Sequence, residues 1–164
     1  MDDNYQYLID LKKYRKIEEI DSQSHLNKVY LIENKETREK YVAKSSRDDL
    51  DSDSLKSFIR ELKILIYIQI PVVIKLEGFS YQDMDNHNKI TIITKYLENG
   101  TLTNFLKSPN LNDTNRQIIL CGISFGMMLL HDHFIIQRDL KSDNVLLDEN
   151  YYPIITDFGT SKVF

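Results

Sequence analysis

Cysteine is almost missing from this chain, since Cys121 is the only one in 164 residues. A single thiol excludes an internal disulfide and is typical of proteins from reducing compartments, so we expect a cytoplasmic protein. Histidine occurs at four positions. Apart from the close pair His131 and His133, no cluster of His or Cys predicts a zinc site.

Long apolar runs are missing as well. The most apolar run, residues 64–74, is too short to span a bilayer and is interrupted by Gln69 and Pro71. The acidic start, Met1-Asp2-Asp3-Asn4, predicts neither a secretory signal nor a transit peptide. A formal net charge of −4 argues against a general nucleic-acid or membrane-surface binder. The rest of the composition, 41% hydrophobic and 28% charged, is typical of one ordinary domain or two small lobes.

Two short segments carry the side chains best suited to chemistry. Residues 137–144 read Q-R-D-L-K-S-D-N and place Asp139, Lys141 and Asn144 within six residues, and D-F-G begins at Asp157. Between them, apolar residues flank a polar turn, which predicts a β-hairpin. The hairpin would bring Asn144 and Asp157 together at its open end, where amide and carboxylate oxygens suit a hard cation such as Mg²⁺.

This arrangement resembles the protein-kinase catalytic loop, H-R-D-L-K-x-x-N followed by D-F-G, with Gln137 in place of the family's histidine. The resemblance implies that Asp139 accepts the proton of a substrate hydroxyl and that Lys141 steadies the transferred phosphoryl group. It implies that Asn144 and Asp157 bind Mg²⁺. A lysine two residues after Asp139 is similar to the serine/threonine kinase pattern.

The chain before these segments resembles a kinase N-lobe. Apolar patterns predict three strands, a helix and a further strand, at residues 14–20, 28–33, 40–45, 55–65 and 90–96. The letters Y-V-A-K at 41–44 resemble the family's V-A-I-K, which implies that Val42 faces adenine and Lys44 the phosphates. Glu61 falls in or beside the apolar stripe of the helix. Because a buried carboxylate is costly unless it is paired, we expect an ion pair with Lys44.

The loop before Val29 departs from the family's G-x-G-x-x-G-x-V. Anchored on Val29, the three glycine positions hold Ser22, Ser24 and Asn27. Glycine lets backbone N–H groups approach phosphates without a Cβ in the way, so we predict looser or less well aligned phosphate binding. Ile20 lies one residue further back than the family spacing, which predicts an insertion. Taken alone, this loop favours an ordinary hairpin turn without a ligand.

The segment from Thr94 to Leu102 resembles the hinge of tyrosine-kinase-like kinases. By that resemblance Thr94 is the gatekeeper, and Lys95 and Leu97 offer backbone groups to adenine. Val29, Val42 and Leu146 would enclose the adenine ring. The complete set that the resemblance implies for ATP binding is Ile20, Ser22, Ser24, Asn27, Val29, Val42, Lys44, Glu61, Thr94, Lys95, Leu97 and Leu146.

We therefore expect an α+β, bilobal protein-kinase fold. It would comprise a leader at residues 1–13, an N-lobe with an antiparallel sheet, one long helix and the hinge at 14–97, and a partial, mainly helical C-lobe with the catalytic-loop hairpin at 98–164. A longer helix is expected at 114–130, where Gly122 and Gly126 predict close packing and Cys121 a small buried residue.

The sequence reaches only five residues past Gly159. The family's activation segment and later helices lie beyond that point, so we expect the other apolar face of the 114–130 helix to need a protein partner. Three interpretations stay open. The chain is a truncated kinase domain that phosphorylates protein Ser or Thr with ATP and Mg²⁺, a pseudokinase-like fragment that binds nucleotide or a partner without transfer, or a chain that does not fold independently. The resemblance favours the first; the missing glycines and Gln137 favour the others.

Overall fold

A computed structural model describes residues 6–21, 27–46, 52–107 and 112–164. The described residues divide into two compact units. The first lies within residues 1–66 and 75–96, and the second within residues 67–74 and 97–164. The first unit is a sheet with a long helix, whereas the second is built from helices and short strand pairs.

The first unit contains a five-stranded sheet. Its strands are β1 (Tyr14–Asp21), β2 (Asn27–Asn34), β3 (Lys40–Ser46), β4 (Leu76–Ser80) and β5 (Thr91–Lys95). They lie in the order β1-β2-β3-β5-β4, and each neighbouring pair is antiparallel. The predicted antiparallel N-lobe sheet is thus confirmed.

One face of this sheet is covered by the residues that precede it. The buried side chains on this face are Tyr14, Tyr30, Ile32, Tyr41, Ala43 and Ile93. They pack against Leu11, with Ile9 and Met84 at the margin. The backbone N–H of Ile9 donates to the carbonyl of Phe79 at 2.8 Å. Residues 6–13, predicted as a leader, therefore contribute to the core of the first unit.

The long helix of the first unit is α1 (Ser52–Tyr67), and it is amphipathic as its apolar spacing predicts. Its buried residues are Phe58, Glu61, Leu62, Ile64 and Leu65. Glu61 is the only charged member of that set, and it is 5% exposed. A carboxylate at such a position must be matched by a cation or hydrogen-bond donors.

The second unit is built around one long helix. Its elements are α2 (Leu102–Phe105), α3 (Asp113–Asp132), β6 (Ile135–Ile136), β7 (Val145–Leu147), β8 (Pro153–Ile155) and β9 (Lys162–Val163). β7 and β8 form an antiparallel hairpin, as predicted, and β6 pairs with β9. Within the described ranges, no helix is both long and apolar enough to cross a membrane.

Glycine allows α3 to approach the hairpin closely. A Cβ on Gly122 would lie 2.5 Å from Cγ of Pro153, and a Cβ on Gly126 would lie 2.9 Å from Cδ1 of Ile155. The close packing predicted from the two glycines is confirmed. The prediction for Cys121 is wrong, because its side chain lies on the exposed side of α3.

The outer face of α3 carries large apolar side chains in the described structure. Leu120, Phe125 and Met128 are 66%, 52% and 48% exposed. Beside Phe125, an apolar cavity of about 630 Å³ opens between α3, the Pro71–Val72 segment and the β7–β8 hairpin. Side chains of this size are costly to leave in water when they adjoin one another.

Candidate active site

The first unit gathers four of the predicted ATP-binding residues on one face of its sheet. The register places Val29 opposite Lys44 and Val42 opposite Thr94. Directly opposed residues of antiparallel strands project to the same side, and so do residues two apart in one strand. All four are half-buried, whereas the residues between them are buried in the core on the other face.

Lys44 and Glu61 form the predicted ion pair. Nζ of Lys44 lies 2.7 Å from Oε2 of Glu61. The Glu61 side chain is 7% exposed and that of Lys44 is 23% exposed, so the pair is largely removed from water. Attraction between the two charges offsets the cost of desolvating them only when both are present. The pair holds the ammonium group of Lys44 over the face of the sheet that carries Val29, Val42 and Thr94.

The predicted phosphate loop is only partly described. Ser22 and Ser24 lie outside the described residues, whereas Asn27 begins β2 opposite Ser46 and is half-buried. The register of β1 and β2 shifts between Glu19 and Asp21, which leaves Ile20 in a bulge. A bulge adds one residue to a strand, and one residue is the offset that the sequence has at Ile20.

The hinge residues differ in what their backbone can offer. The N–H of Lys95 donates to the carbonyl of Lys75 at 3.1 Å. The carbonyl of Lys95 is therefore its candidate backbone group for a contact with adenine. The carbonyl of Leu97 accepts the N–H of Gly100 at 3.1 Å. The N–H of Leu97 is therefore its candidate backbone group for a contact with adenine. Adenine presents an amino donor and ring-nitrogen acceptors at its edge, which match an acceptor and a donor of this kind.

In the second unit, Asp139 receives two side-chain donors. Its Oδ2 accepts Nζ of Lys141 at 2.8 Å and Nδ2 of Asn144 at 2.9 Å. The hydrogen bond from Lys141 lowers the pKa of the Asp139 carboxyl; burial opposes this shift and the Asn144 amide adds to it. The same hydrogen bond raises the pKa of Lys141. At neutral pH the pair is therefore a carboxylate and an ammonium, as a proton acceptor and a phosphate-binding cation require.

The β7–β8 hairpin brings Asn144 and the start of D-F-G together. The N–H of Thr156 donates to the carbonyl of Asn144 at 3.0 Å, one residue before Asp157. Nδ2 of Asn144 is engaged by Asp139, so Oδ1 is the side-chain atom that can ligate a cation. An amide oxygen and a carboxylate are hard oxygen ligands, which fit Mg²⁺. Leu146 follows in β7 and is half-buried, while its neighbours Val145 and Leu147 lie in the core.

Gln137 has a role that the sequence pattern did not reveal. Its side chain is fully buried and makes hydrogen bonds with the backbone of Asp139 and of Asp157. The pattern identified Gln137 as the residue in place of the family's histidine, with a side chain that can pack and form hydrogen bonds, but it did not identify the partners. The one available signal was chemical, because an amide carries both a donor and an acceptor.

A separate acidic group lies in the loop between β4 and β5. Asp83, Asp85 and His87 have side-chain atoms within 4.8 Å of one another. Burial would raise the pKa of Asp83, but hydrogen bonds from His87 and the N–H of Asp85 outweigh it and lower that pKa. Nζ of Lys89 lies 3.6 Å from the same carboxylate. The charge of Asp83 is thus already balanced by protein groups, and its hydrogen bonds organise the loop between β4 and β5.

Comparison with known sequences supports the same family as the arrangement of the site residues. The family model described as "Protein kinase domain" matches residues 23–164. This chain belongs to the protein kinase family. Its five-stranded sheet with α1 is the kinase N-lobe, and the catalytic-loop hairpin lies in the C-lobe part.

Three relatives support this assignment, all from Arabidopsis thaliana. A G-type lectin S-receptor-like serine/threonine-protein kinase RLK1 is 36% identical over 74% of the chain, and a receptor-like serine/threonine-protein kinase SD1-7 is 36% identical over 82%. A mitogen-activated protein kinase kinase 2 is 34% identical over 82%. The chain spans 15%, 16% and 37% of the lengths of these kinases. Their names identify eukaryotic-type protein kinases.

Proposed function

We propose that this chain carries the ATP-binding and catalytic residues of a serine/threonine protein kinase, which transfers the γ-phosphate of ATP to Ser or Thr hydroxyls of proteins. One observation carries the proposal. Lys141 and Asn144 both donate to the carboxylate of Asp139, and the Asn144 backbone is hydrogen-bonded beside Asp157. This arrangement supplies the groups that phosphoryl transfer requires: Asp139 as a proton acceptor, Lys141 as a cation, and Asn144 and Asp157 as oxygen ligands.

The proposal assigns ATP-binding roles in both units. Lys44, held by Glu61, binds phosphate oxygens. The carbonyl of Lys95 and the N–H of Leu97 read the adenine edge. The remaining members line the nucleotide or cover its phosphates; they are Ile20, Ser22, Ser24, Asn27, Val29, Val42, Thr94 and Leu146.

The chemical step follows from the charges at Asp139. Its ionised carboxylate accepts the proton of the substrate hydroxyl, whose oxygen attacks the γ-phosphorus as ADP departs. The Lys141 ammonium lies beside that carboxylate and stabilises the transferred phosphoryl group. Oδ1 of Asn144 and the carboxylate of Asp157 would hold Mg²⁺, which would neutralise the charges of the phosphates when bound. The fixed positions of these groups provide much of the rate enhancement in this class of reaction.

Three finer assignments belong to the same proposal. The lysine two residues after Asp139 and the names of the relatives support serine and threonine as acceptors. The hinge sequence supports a place among tyrosine-kinase-like kinases. The single cysteine supports a cytoplasmic location of this domain.

Thermal melting with Mg-ATP tests the nucleotide part of the proposal. We expect wild type to gain about 2.7 kcal/mol of stability at 100 times the dissociation constant, as a rise in Tm. Lys44→Met removes the phosphate contact and should lose most of this rise. Lys63→Met, on the exposed side of α1, is the matched control and should keep it. A wild-type Tm that Mg-ATP leaves unchanged would reject ATP binding by this chain. A rise in Tm without phosphoryl transfer would favour the pseudokinase interpretation.

We further propose that a protein partner covers the outer face of α3. The support is the exposure of Leu120, Phe125 and Met128 beside the apolar cavity. An uncovered face of this kind promotes self-association. We expect Leu120→Ser with Met128→Ser to raise the concentration at which the chain stays monomeric in light scattering. Tyr67→Ser, at an exposed apolar position on α1, should not. Equal behaviour of the two variants would refute this proposal.

A further inference from the structure

Residues 7–13 cross one face of the N-lobe sheet, and we name this segment the strap. Along its first part, Tyr7 and Ile9 are half-buried and Leu11 is buried, whereas the residues between them are exposed. Alternation with a period of two is typical of an extended segment that lays one side on a sheet. Leu11 joins the apolar core on that face, and Ile9 packs at its margin.

Backbone contacts fasten the strap at both ends. At its start, Leu8 forms a parallel bridge with Phe79 of β4, and the N–H of Ile9 donates to the carbonyl of Phe79 at 2.8 Å. At its end, the carbonyl of Lys13 accepts the N–H of Lys35 at 2.9 Å. β4 is an edge strand and Lys35 directly follows β2, so the strap is tied to strands on both sides of β3.

Gly78 is the position in β4 that admits the strap. A Cβ on Gly78 would lie 2.5 Å from Cδ1 and 2.6 Å from Cγ1 of Ile9, and it would collide with the carbonyl oxygen of Tyr7. Glycine weakens the interior of a strand, and close approach of another backbone is one reason for its presence there. This side of the sheet therefore offers an extended segment a backbone acceptor, a slot without a Cβ and an apolar floor.

The strands under the strap also carry the proposed nucleotide residues. Ala43 belongs to the core under the strap and lies between Val42 and Lys44 in β3. Ile93 belongs to the same core and directly precedes Thr94 in β5. Successive residues of a strand point to opposite faces. Packing on the strap face therefore fixes the backbone from which the nucleotide residues project, because close-packed interiors transmit strain.

We infer that the strap is a detachable positioning element, which holds β3 and β5 in the geometry that binds nucleotide. This inference rests on the proposed kinase function. The strap is fastened at its two ends and alternate side chains face water, so it belongs to the low-stability end of the structure and opens before the sheet does. Strap docking and Mg-ATP binding then favour the same state, and linkage requires each to strengthen the other by the same factor.

Two leucines of the strap provide a matched test. Leu11 is 8% exposed, whereas Leu8 is 44% exposed. We expect Leu11→Ala to release the strap, which speeds amide hydrogen exchange of the Ile9 N–H about 10-fold or more and raises the Kd for Mg-ATP about fivefold. Leu8→Ala removes the same atoms from the outward side and should change each value by less than about twofold. Titration of the full chain with Mg-ATP measures Kd.

Gly78→Ala tests the same contact from the side of the sheet. Without a strap, alanine in place of a strand glycine is expected to be neutral or stabilising. Here the added Cβ meets Ile9, so we expect faster exchange of the Ile9 N–H and weaker Mg-ATP binding, as in Leu11→Ala. Either variant with a lower Tm but a wild-type Kd for Mg-ATP would show a merely structural role and would overturn the inference.

Two measurements on wild type need no variant, so they decide the inference even if the variants do not fold. The N–H of Ile9 should exchange at least about 10-fold faster than that of Ala43 in the central strand β3, because the strap opens locally. Saturating Mg-ATP should slow exchange at Ile9 about fivefold, the factor expected for Kd in Leu11→Ala. Equal rates at Ile9 and Ala43, or an Ile9 rate that Mg-ATP leaves unchanged although it binds, would overturn the inference.

Failure of the proposed function is distinguishable from failure of this inference. A wild-type chain that binds Mg-ATP but transfers no phosphate rejects phosphoryl transfer, and the linkage is still decided by the measurements above. A wild-type chain that does not bind Mg-ATP rejects the nucleotide role of Lys44. In that case, exchange of the Lys44 N–H decides whether the strap holds β3. Faster exchange in Leu11→Ala than in Leu8→Ala supports this hold, and equal exchange overturns it.

Discussion

Replacing Asp139 by asparagine is expected to lower kcat by a factor of about 10² to 10⁴, with little change in KM for ATP. The substitution keeps the size of the side chain and removes the charged oxygen that accepts donors from Lys141 and Asn144. Without a carboxylate, no group at this position can accept the hydroxyl proton. Transfer of radiolabelled phosphate from ATP to a mixture of Ser- and Thr-containing peptides measures the effect.

Asp143→Asn is the matched control for this experiment. Asp143 is exposed in the 3₁₀ turn Ser142–Asn144 and loses the same charge on substitution. We expect kcat to fall by less than about twofold, because an exposed charge near Lys141 is screened by solvent. Equal losses in the two variants would show that net charge matters and position does not, which contradicts the role of Asp139.

The lowered pKa of Asp139 also predicts how kcat depends on pH. The folded-state pKa lies below the ordinary carboxyl value because Lys141, and to a smaller extent Asn144, favour the ionised form. A group of this kind is fully ionised above its ordinary pKa and becomes protonated only as pH falls through the lower folded value. The contribution of Asp139 to kcat is therefore expected to be constant through the neutral range and to be lost only in acid.

Local sequence spacing predicted the parts of the site that depend on neighbours in the chain. The hairpin that joins Asn144 to D-F-G follows from two short apolar runs and a polar turn, and the antiparallel pairing of β7 with β8 is confirmed. The pair of Lys44 and Glu61 follows from a strand motif and an apolar helical stripe, since a carboxylate within such a stripe needs a cation. The hairpin needs only periodicity, whereas the choice of Lys44 as the partner of Glu61 also rests on the resemblance to the family's V-A-I-K motif.

Other features depend on packing between distant segments and were not predictable in that way. Residues 6–13 are polar enough to resemble a leader, yet Leu11 is buried because the sheet face above β2 and β3 needs apolar cover. Cys121 lies between Leu120, which is exposed, and Gly122, which faces Pro153 of the hairpin, so its exposure depends on the rotation of α3 against the hairpin. Gln137 is a polar residue that is buried because backbone groups of other segments converge on it.

Removing one partner of the Lys44–Glu61 pair is expected to have the largest effect on stability. Lys44→Met takes the cation from a carboxylate that is 7% exposed, and breaking a buried pair in this way costs about 3–5 kcal/mol. The side chain of Lys44 is 23% exposed, so the lower end of that range is expected. Urea denaturation of the chain measures the change in free energy of unfolding.

The same helix provides a matched control for this prediction. Lys56 lies 2.9 Å from Asp53, with side chains 69% and 85% exposed. Because exposed pairs contribute about 0–1 kcal/mol, Lys56→Met should cost less than about 1 kcal/mol. If Lys44→Met were no more costly than Lys56→Met, burial of the Lys44–Glu61 pair would not carry the energy assigned to it.

A double substitution separates the structural role of the pair from its role in nucleotide binding. In Lys44→Met with Glu61→Leu, the buried carboxylate is gone along with its partner, so the loss of stability should be smaller than the sum of the single losses by about 0.5–3 kcal/mol. Binding of Mg-ATP should not recover, because the ammonium that contacts the phosphates is still missing. A double variant that regains both stability and the Mg-ATP shift in Tm would mean that Lys44 acts on nucleotide only by holding α1. A double variant that regains stability alone assigns Lys44 a direct contact with ATP.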